Sequence, residues 1–280
     1  MIEESGLNIE LGCDAFEISK SSYYRWKRQP PLAPDAIRDV IKDIAFEFPR
    51  YGYRRITKTL HRRGKQVNHK RVRRIMKEEK LTCSRKRYTP LTTNSNHWYG
   101  VYPNLAKRIR LTSLNQLWVA DITYIRLRQE FVYLAVVIDV FSRRCIGWQL
   151  SRNIDTQLTL DALEMAISER RPLGFAELIH HSDQRVQYAA TAYVERLAEE
   201  GITSSMSRRG NPKDNAFAES FMKTLKVEEV HMNEYQTFEE AYDNIKEFIE
   251  QVYNEKRLHS GIGYMPPNEF EKDLKTTSQT

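Results

Sequence analysis

The change of grammar at Leu114 constrains this chain more than any other feature. Upstream of it the apolar residues are spaced for helices. Downstream come LWVADITYIR at 117–126, FVYLAVVID at 131–139 and CIGWQL at 145–150. Runs rich in Val, Ile and aromatics, separated by short polar turns, read as strands. The connections between them are too short for a crossover, so the three form an antiparallel meander. A helix follows at about 156–170, with Leu160, Leu163 and Ile167 on one face. Then come a short strand, AELIHH (176–181), a helix at about 189–200, a strand at ITSSM, a helix at 211–227 and another at about 238–254. Three antiparallel strands followed by alternating helices and strands give an α/β fold, in the order of an RNase H-like layered domain.

The front of the chain is organised differently. Through Ser113 there are 25 Lys and Arg against 11 Asp and Glu, and after it 19 against 26. A basic front joined to a mildly acidic back points to a polyanionic partner. Two short helical patterns lie in 6–28, and QPPLAP (29–34) reads as a linker whose prolines cannot sustain a helix. The module at 35–81 reads as three helices. Ile37, Ile41, Ile44 and Phe48 make one stripe, Ile56 and Leu60 face inward before Gly64, and Asn68 caps a third helix with Val72, Ile75 and Met76 inside. The other faces of that third helix carry Lys70, Arg71, Arg73, Arg74 and Lys77. The pattern is a helix-turn-helix unit with its basic helix against DNA, or an ordinary bundle with a solvated basic face. Residues 82–113 are polar and basic and read as an extended linker. Domain boundaries are therefore expected at 1–34, 35–81, 82–113 and 114–272, with a tail at 273–280.

Composition excludes several classes. No apolar run approaches the roughly 18 residues that a membrane span needs. The scattered Cys13, Cys83 and Cys145 form no Cys/His cluster and suggest reduced thiols in a cytosol rather than a zinc site.

Three carboxylates stand out against this framework. Asp121 lies mid-strand among apolar residues, on the face of Val119 and Ile125, where an ionised carboxylate is costly unless paired or bound to a cation. Asp183 follows the strand AELIHH, at the edge where α/β proteins place chemistry. Glu219 sits on the helix NPKDNAFAESFMKTLKV, sharing a face with Asn215, Lys223 and Lys226. Each has a plainer reading: Asp121 pairs with a buried Arg, Asp183 caps the next helix, Glu219 is surface. Together, on two strands and a helix, they suit a pair of Mg2+ ions, since hard cations take oxygen ligands and two can clamp an in-line phosphoryl displacement. Asp139 closes a strand before a turn and reads as a turn cap, and His180 and His181 read as packing or hydrogen-bonding groups.

The strings WVADITYI, IDVFSRRCIGW, HSDQ, SMSRRGNPKDNAFAESFMKTLK and YNEKRLHSGIGYMPP resemble the catalytic core of bacterial insertion-sequence transposases of the retroviral-integrase-like kind. In that group the transposase is encoded in two overlapping frames, and this chain is similar to the downstream product. The basic module PRYGYRRITKTLHRRGKQVNHKRVRRIMKEEKL resembles the helix-turn-helix segment before that core. The resemblance spans about residues 20–272. It implies a DDE recombinase with Asp121, Asp183 and Glu219 as catalytic and metal-binding residues for two Mg2+ ions, with Mn2+ as a substitute. It also implies DNA contact by Lys226, with Lys223 on the same face. The partners it implies are transposon ends and target DNA, further copies of the chain and an upstream-frame product, in a bacterial cytoplasm and at the nucleoid. No covalent protein–DNA intermediate is implied. One position departs from the family: after HSDQ it normally has Gly, and here stands Arg185. That residue is expected to strain the backbone if φ must be positive, and to perturb the site by competing with metal or by holding DNA phosphate. The alternatives are a catalytically impaired DNA-binding copy acting as a repressor, and a structure-specific RNase H-like nuclease.

Overall fold

The structure, a computed structural model, describes residues 9–15, 19–27, 36–82, 100–208 and 212–277. The linker at 29–34, most of the basic segment at 82–99 and the helix-opening Asn211 lie outside the described residues. The chain divides into two compact units, Met1–Cys83 and Ser84–Thr280.

The first unit contains α1 (Ile9–Ala15), α2 (Lys20–Lys27), α3 (Ala36–Glu47), α4 (Tyr53–Arg62) and α5 (His69–Glu78). Ile41 and Ile44 of α3 meet Ile56 and Leu60 of α4 and Val72, Ile75 and Met76 of α5 in one buried core. Gly64 ends α4 with φ +75°, a left-handed conformation that glycine adopts without a Cβ clash. Asn68 caps α5, its side-chain oxygen accepting from the Lys70 N–H at 2.8 Å. Arg38 of α3 reaches Glu79 at 2.6 Å and Glu78 at 2.8 Å, tying the first helix of this trio to the end of the third.

The second unit is built on a five-stranded sheet in the order β3-β2-β1-β4-β5. β1 (Leu117–Arg126) pairs antiparallel with β2 (Phe131–Asp139), and β2 with β3 (Cys145–Ser151). β4 (Ile179–Ser182) runs parallel to β1, and β5 (Thr203–Met206) parallel to β4. Alternation along β1 sends its residues to two cores. Trp118, Ala120 and Ile122 pack with α6 (Thr156–Arg170), α7 (Val186–Ala189) and α8 (Thr191–Glu199). Val119 and Ile125 face α9 (Ala216–Leu225) and α10 (Phe238–Glu247), with Ala218, Phe221, Leu225 and Ile245 between them. The result is a mixed sheet covered on both faces.

Three expectations are corrected. The part of the 82–113 segment from about Tyr102 onward is no free linker: Leu105 N–H donates to Ser205 Oγ at 2.9 Å, and Ala106, Ile109 and Leu111 pack on the core. The helix at 211–227 begins with a 3-10 turn (Pro212–Asn215), is α-helical over Ala216–Leu225 and continues as a π turn over Lys226–Val230. The tail from 273 gives way to α11 (Pro267–Thr277). That helix is held by Glu271, whose carboxylate is buried against Arg170 at the end of α6.

Candidate active site

β1 carries Asp121 on the face of Val119 and Ile125, as the alternation requires, yet the carboxylate is only 17% exposed. The parallel register sets Leu117 against Ile179 and Val119 against His181. Extending it by two residues brings Asp121 level with Asp183, the first residue after β4. Two acids 62 positions apart are thus neighbours because parallel pairing aligns the carboxyl end of β4 with the middle of β1. Asn215 fastens the third element: its side-chain N–H donates to the Ala120 carbonyl at 2.9 Å, beside Asp121. Ala218, Phe221, Met222 and Leu225 are buried, and Glu219 lies on the exposed side of the same helix. Its charge is close enough to act on Asp121.

Arg185 lies between the two aspartates. Its Nε is 3.0 Å from Asp183 Oδ2 and its Nη1 is 3.8 Å from Asp121 Oδ1. Nη1 also donates to the Ile122 carbonyl at 2.6 Å, and the Arg185 backbone N–H donates to Asp183 Oδ1 at 3.1 Å. The strain expected at this position is absent: Arg185 has φ −74° and ψ 149°, ordinary extended backbone just before α7. The plainer readings of Asp121 and Glu219 are therefore realised, since Asp121 faces an arginine and Glu219 is exposed, whereas Asp183 accepts only the backbone N–H of Arg185 and gives α7 no side-chain cap. Among the described residues, no group of three or more His, Cys, Asp or Glu side chains is gathered as a metal cluster.

The electrostatics follow from burial. Desolvation pushes Asp121 up to about 7; the charge of Arg185 opposes the rise, and those of Asp183 and Glu219 add to it. Asp183 is raised for the same first reason, again against Arg185. Partial burial raises Glu219 as well. Lys226 lies 4.8 Å above the Tyr124 ring and is shifted down by burial, while the charge of Asp121 acts in the opposite direction. Lys226 itself keeps α-helical backbone angles, φ −61° and ψ −40°, and the π turn Lys226–Val230 begins with it. Lys223 is exposed.

The remaining polar residues have structural partners. His181 lies between Ser205 Oγ (2.8 Å) and Ser207 Oγ (3.0 Å), and His180 meets the Tyr193 hydroxyl at 3.0 Å. Asp139 accepts from the backbone N–H groups of Phe141, Ser142 and Asn115, which makes it the turn cap that its position implies. Sequence reasoning gave no role to Tyr188, whose buried hydroxyl has no hydrogen-bond partner among the described residues and feels the charges of both aspartates. Nothing in its spacing marks it. In the helical unit, Lys70, Arg71, Arg73, Arg74 and Lys77 are all exposed on α5; Arg73 stacks over Tyr53 at 5.7 Å, and Arg74 is 3.7 Å from Glu78.

Comparison with known proteins agrees with this architecture. The family described as "Integrase core domain" matches residues 112–212 and, in a second segment, 200–267; "HTH-like domain" matches 33–88. The transposase for insertion sequence element IS904 of Lactococcus lactis is 42% identical over 85% of this chain and 94% of its own length. The IS600 31 kDa protein of Shigella sonnei is 38% identical, over 92% of this chain and 96% of its own length. The HTLV-2 integrase catalytic core domain in complex with magnesium, 15% identical, has a TM-score of 0.42 over 56% of this chain and 95% of that one. With an HTH-like unit ahead of an integrase core and such identity along nearly its whole length, this chain belongs to the insertion-sequence transposases.

Proposed function

We propose that this chain cuts and joins DNA at the ends of an insertion sequence by phosphoryl transfer at Asp121, Asp183 and Glu219, with two Mg2+ ions as cofactor and Mn2+ able to replace them. The observation that carries the reading is the register-matched pair of strand-borne carboxylates, with the helix of Glu219 fastened beside them through Asn215. The donor set suits hard cations. It consists of carboxylate oxygens, with the buried Asn215 Oδ1 nearby and without a hydrogen-bond partner among the described residues. Bound there, the metal pair would stabilise the attacking and leaving oxygens of an in-line displacement.

The chain's own residues have three tasks. Asp121 and Asp183 offer carboxylate oxygens in a largely dry setting, where burial disfavours their ionisation unless a cation lies beside them. Lys226, held on Tyr124 at the end of α9, is placed to meet a DNA phosphate, and Lys223 extends that cationic side. The basic face of α5 binds DNA phosphates, a contribution that weakens as salt rises. No side chain acts as a nucleophile. Assembly as several copies on paired ends, a partnership with an upstream-frame product and action at the bacterial nucleoid belong to the same proposal.

The test is strand transfer on labelled duplexes carrying the element's ends. Joining that needs Mg2+ or Mn2+, and that is lost on Asp121→Asn, Asp183→Asn and Glu219→Gln, supports the proposal. DNA binding without metal-dependent nicking or joining would replace it with the repressor reading.

A further inference from the structure

We propose that Arg185 is a resident cation of this site, its guanidinium holding the place between Asp121 and Asp183 that a divalent metal takes, so that metal loading and guanidinium release are one exchange. The inference rests on the metal-dependent reading above and adds a control over it.

Four contacts define the arrangement. The backbone N–H and Nε of Arg185 grip the two oxygens of Asp183 at 3.1 and 3.0 Å, while Nη1 faces Asp121 Oδ1 at 3.8 Å and donates to the Ile122 carbonyl at 2.6 Å. The guanidinium is as enclosed as the acid it faces, each side chain being 17% exposed. Backbone strain does not put it there, because Arg185 is in relaxed extended geometry. Two carboxylates in so dry a setting repel each other unless a cation lies with them, and Arg185 supplies it from within the chain. An incoming metal ion meets carboxylate oxygens already engaged by a positive charge, and it must expel that charge.

The expelled guanidinium needs another anion. Its planar fork matches phosphate oxygens in pairs, and the DNA substrate presents them in abundance. Duplex DNA should therefore draw Arg185 off the aspartates and tighten metal binding. By linkage, metal should tighten DNA binding by the same factor. Arg185 is a positioning residue in this scheme, since it acts through the carboxylates and not on the reacting atoms.

The test measures Mn2+ affinity directly, by the loss of free-ion electron paramagnetic resonance signal, on the full chain without DNA and with duplexes carrying the element's ends. Arg185→Gly should bind Mn2+ at least about tenfold more tightly than the native chain without DNA, with Arg185→Gln as a second variant should glycine loosen the fold. Adding duplex should tighten the native chain by a similar factor and leave the variants nearly unchanged. Equal affinity in native and variant chains, abolished in both by Asp121→Asn, would overturn the resident cation and leave the metal site standing. Absence of Mn2+ binding from native and variants alike, with and without DNA, would overturn both.

Discussion

Glu271, on α11, accepts from Arg170 Nη1 at 3.0 Å, pairs with Arg170 Nη2 and accepts from Arg144 Nη1 at 3.2 Å. The Arg170 and Glu271 side chains are 2% and 6% exposed, so the pair is buried where the end of α6 meets α11. Glu271→Leu would leave the Arg170 guanidinium in the interior without its anion, while Arg144 keeps Glu169 at 2.8 Å. Breaking a buried pair from one side costs about 3–5 kcal/mol. For a unit of this size that lowers Tm by roughly 6–20 °C. Replacing both partners, as in Arg170→Met with Glu271→Leu, should recover most of the loss, because the cost lies in the orphaned charge more than in the missing bond. Urea unfolding followed by the fluorescence of Trp118 and Trp148, both buried in this unit, reads it directly. pH adds a second constraint. Burial disfavours ionisation of Glu271, but Arg170 and Arg144 outweigh it and hold the carboxyl below its ordinary 4.5. A depressed acid stabilises the fold above its unfolded pKa and loses that contribution as pH falls through the folded value. The gap between native and Glu271→Leu should therefore be full at pH 7 and narrow towards pH 3. A single-variant loss under about 1 kcal/mol, or a double variant as unstable as the single, would refute the reasoning.

Two further outcomes follow from the geometry. Asp121, raised to about 7, resists ionisation in the folded chain while the unfolded chain ionises freely, so metal-free stability should fall as pH rises from about 4 to 7. Asp121→Asn should then be the more stable protein at pH 8 in EDTA, by roughly 1–4 kcal/mol, with little difference at pH 4; thermal melts showing the same gap at both pH values would contradict this. Gly147→Ala should destabilise the larger unit by about 1–3 kcal/mol, because the added Cβ would fall 2.1 Å from the Ala162 carbonyl oxygen and 2.9 Å from Ala166 Cβ. A chemical-denaturation midpoint unchanged by Gly147→Ala would show that α6 can retreat from β3 at no cost.

Much of the frame was legible because it is written in local periodicity. The bounds of β1 and β2 follow from apolar runs ended by polar turns, and α6 follows from its apolar stripe. The cap at Asn68 and the stop at Gly64 were equally local, each resting on one residue's own conformational preference. Legibility failed where packing decides. The segment after Tyr102 has no period, and only its seat against β5 and the sheet gives it a place. The helix from Pro212 changes winding twice, which no spacing of apolar residues announces. The expected tail from 273 continues α11, whose Glu271 meets a buried arginine 101 positions away.

The candidate site divides along the same line. The sequence by itself determined the acids and their elements: Asp121 in a strand, Asp183 at a strand end, Glu219 on a helix, all carried by strings that resemble one family. It also marked Arg185 as the departure. Tertiary structure alone decided what Arg185 does. The expected strain is absent because the chain there is extended, and the guanidinium instead reaches Asp121, 64 positions away, as well as Asp183. The physical reason is that parallel pairing of β4 with β1 sets two carboxylates side by side in a dry place. Which cation neutralises them depends on what the fold brings within reach, and no local pattern encodes that.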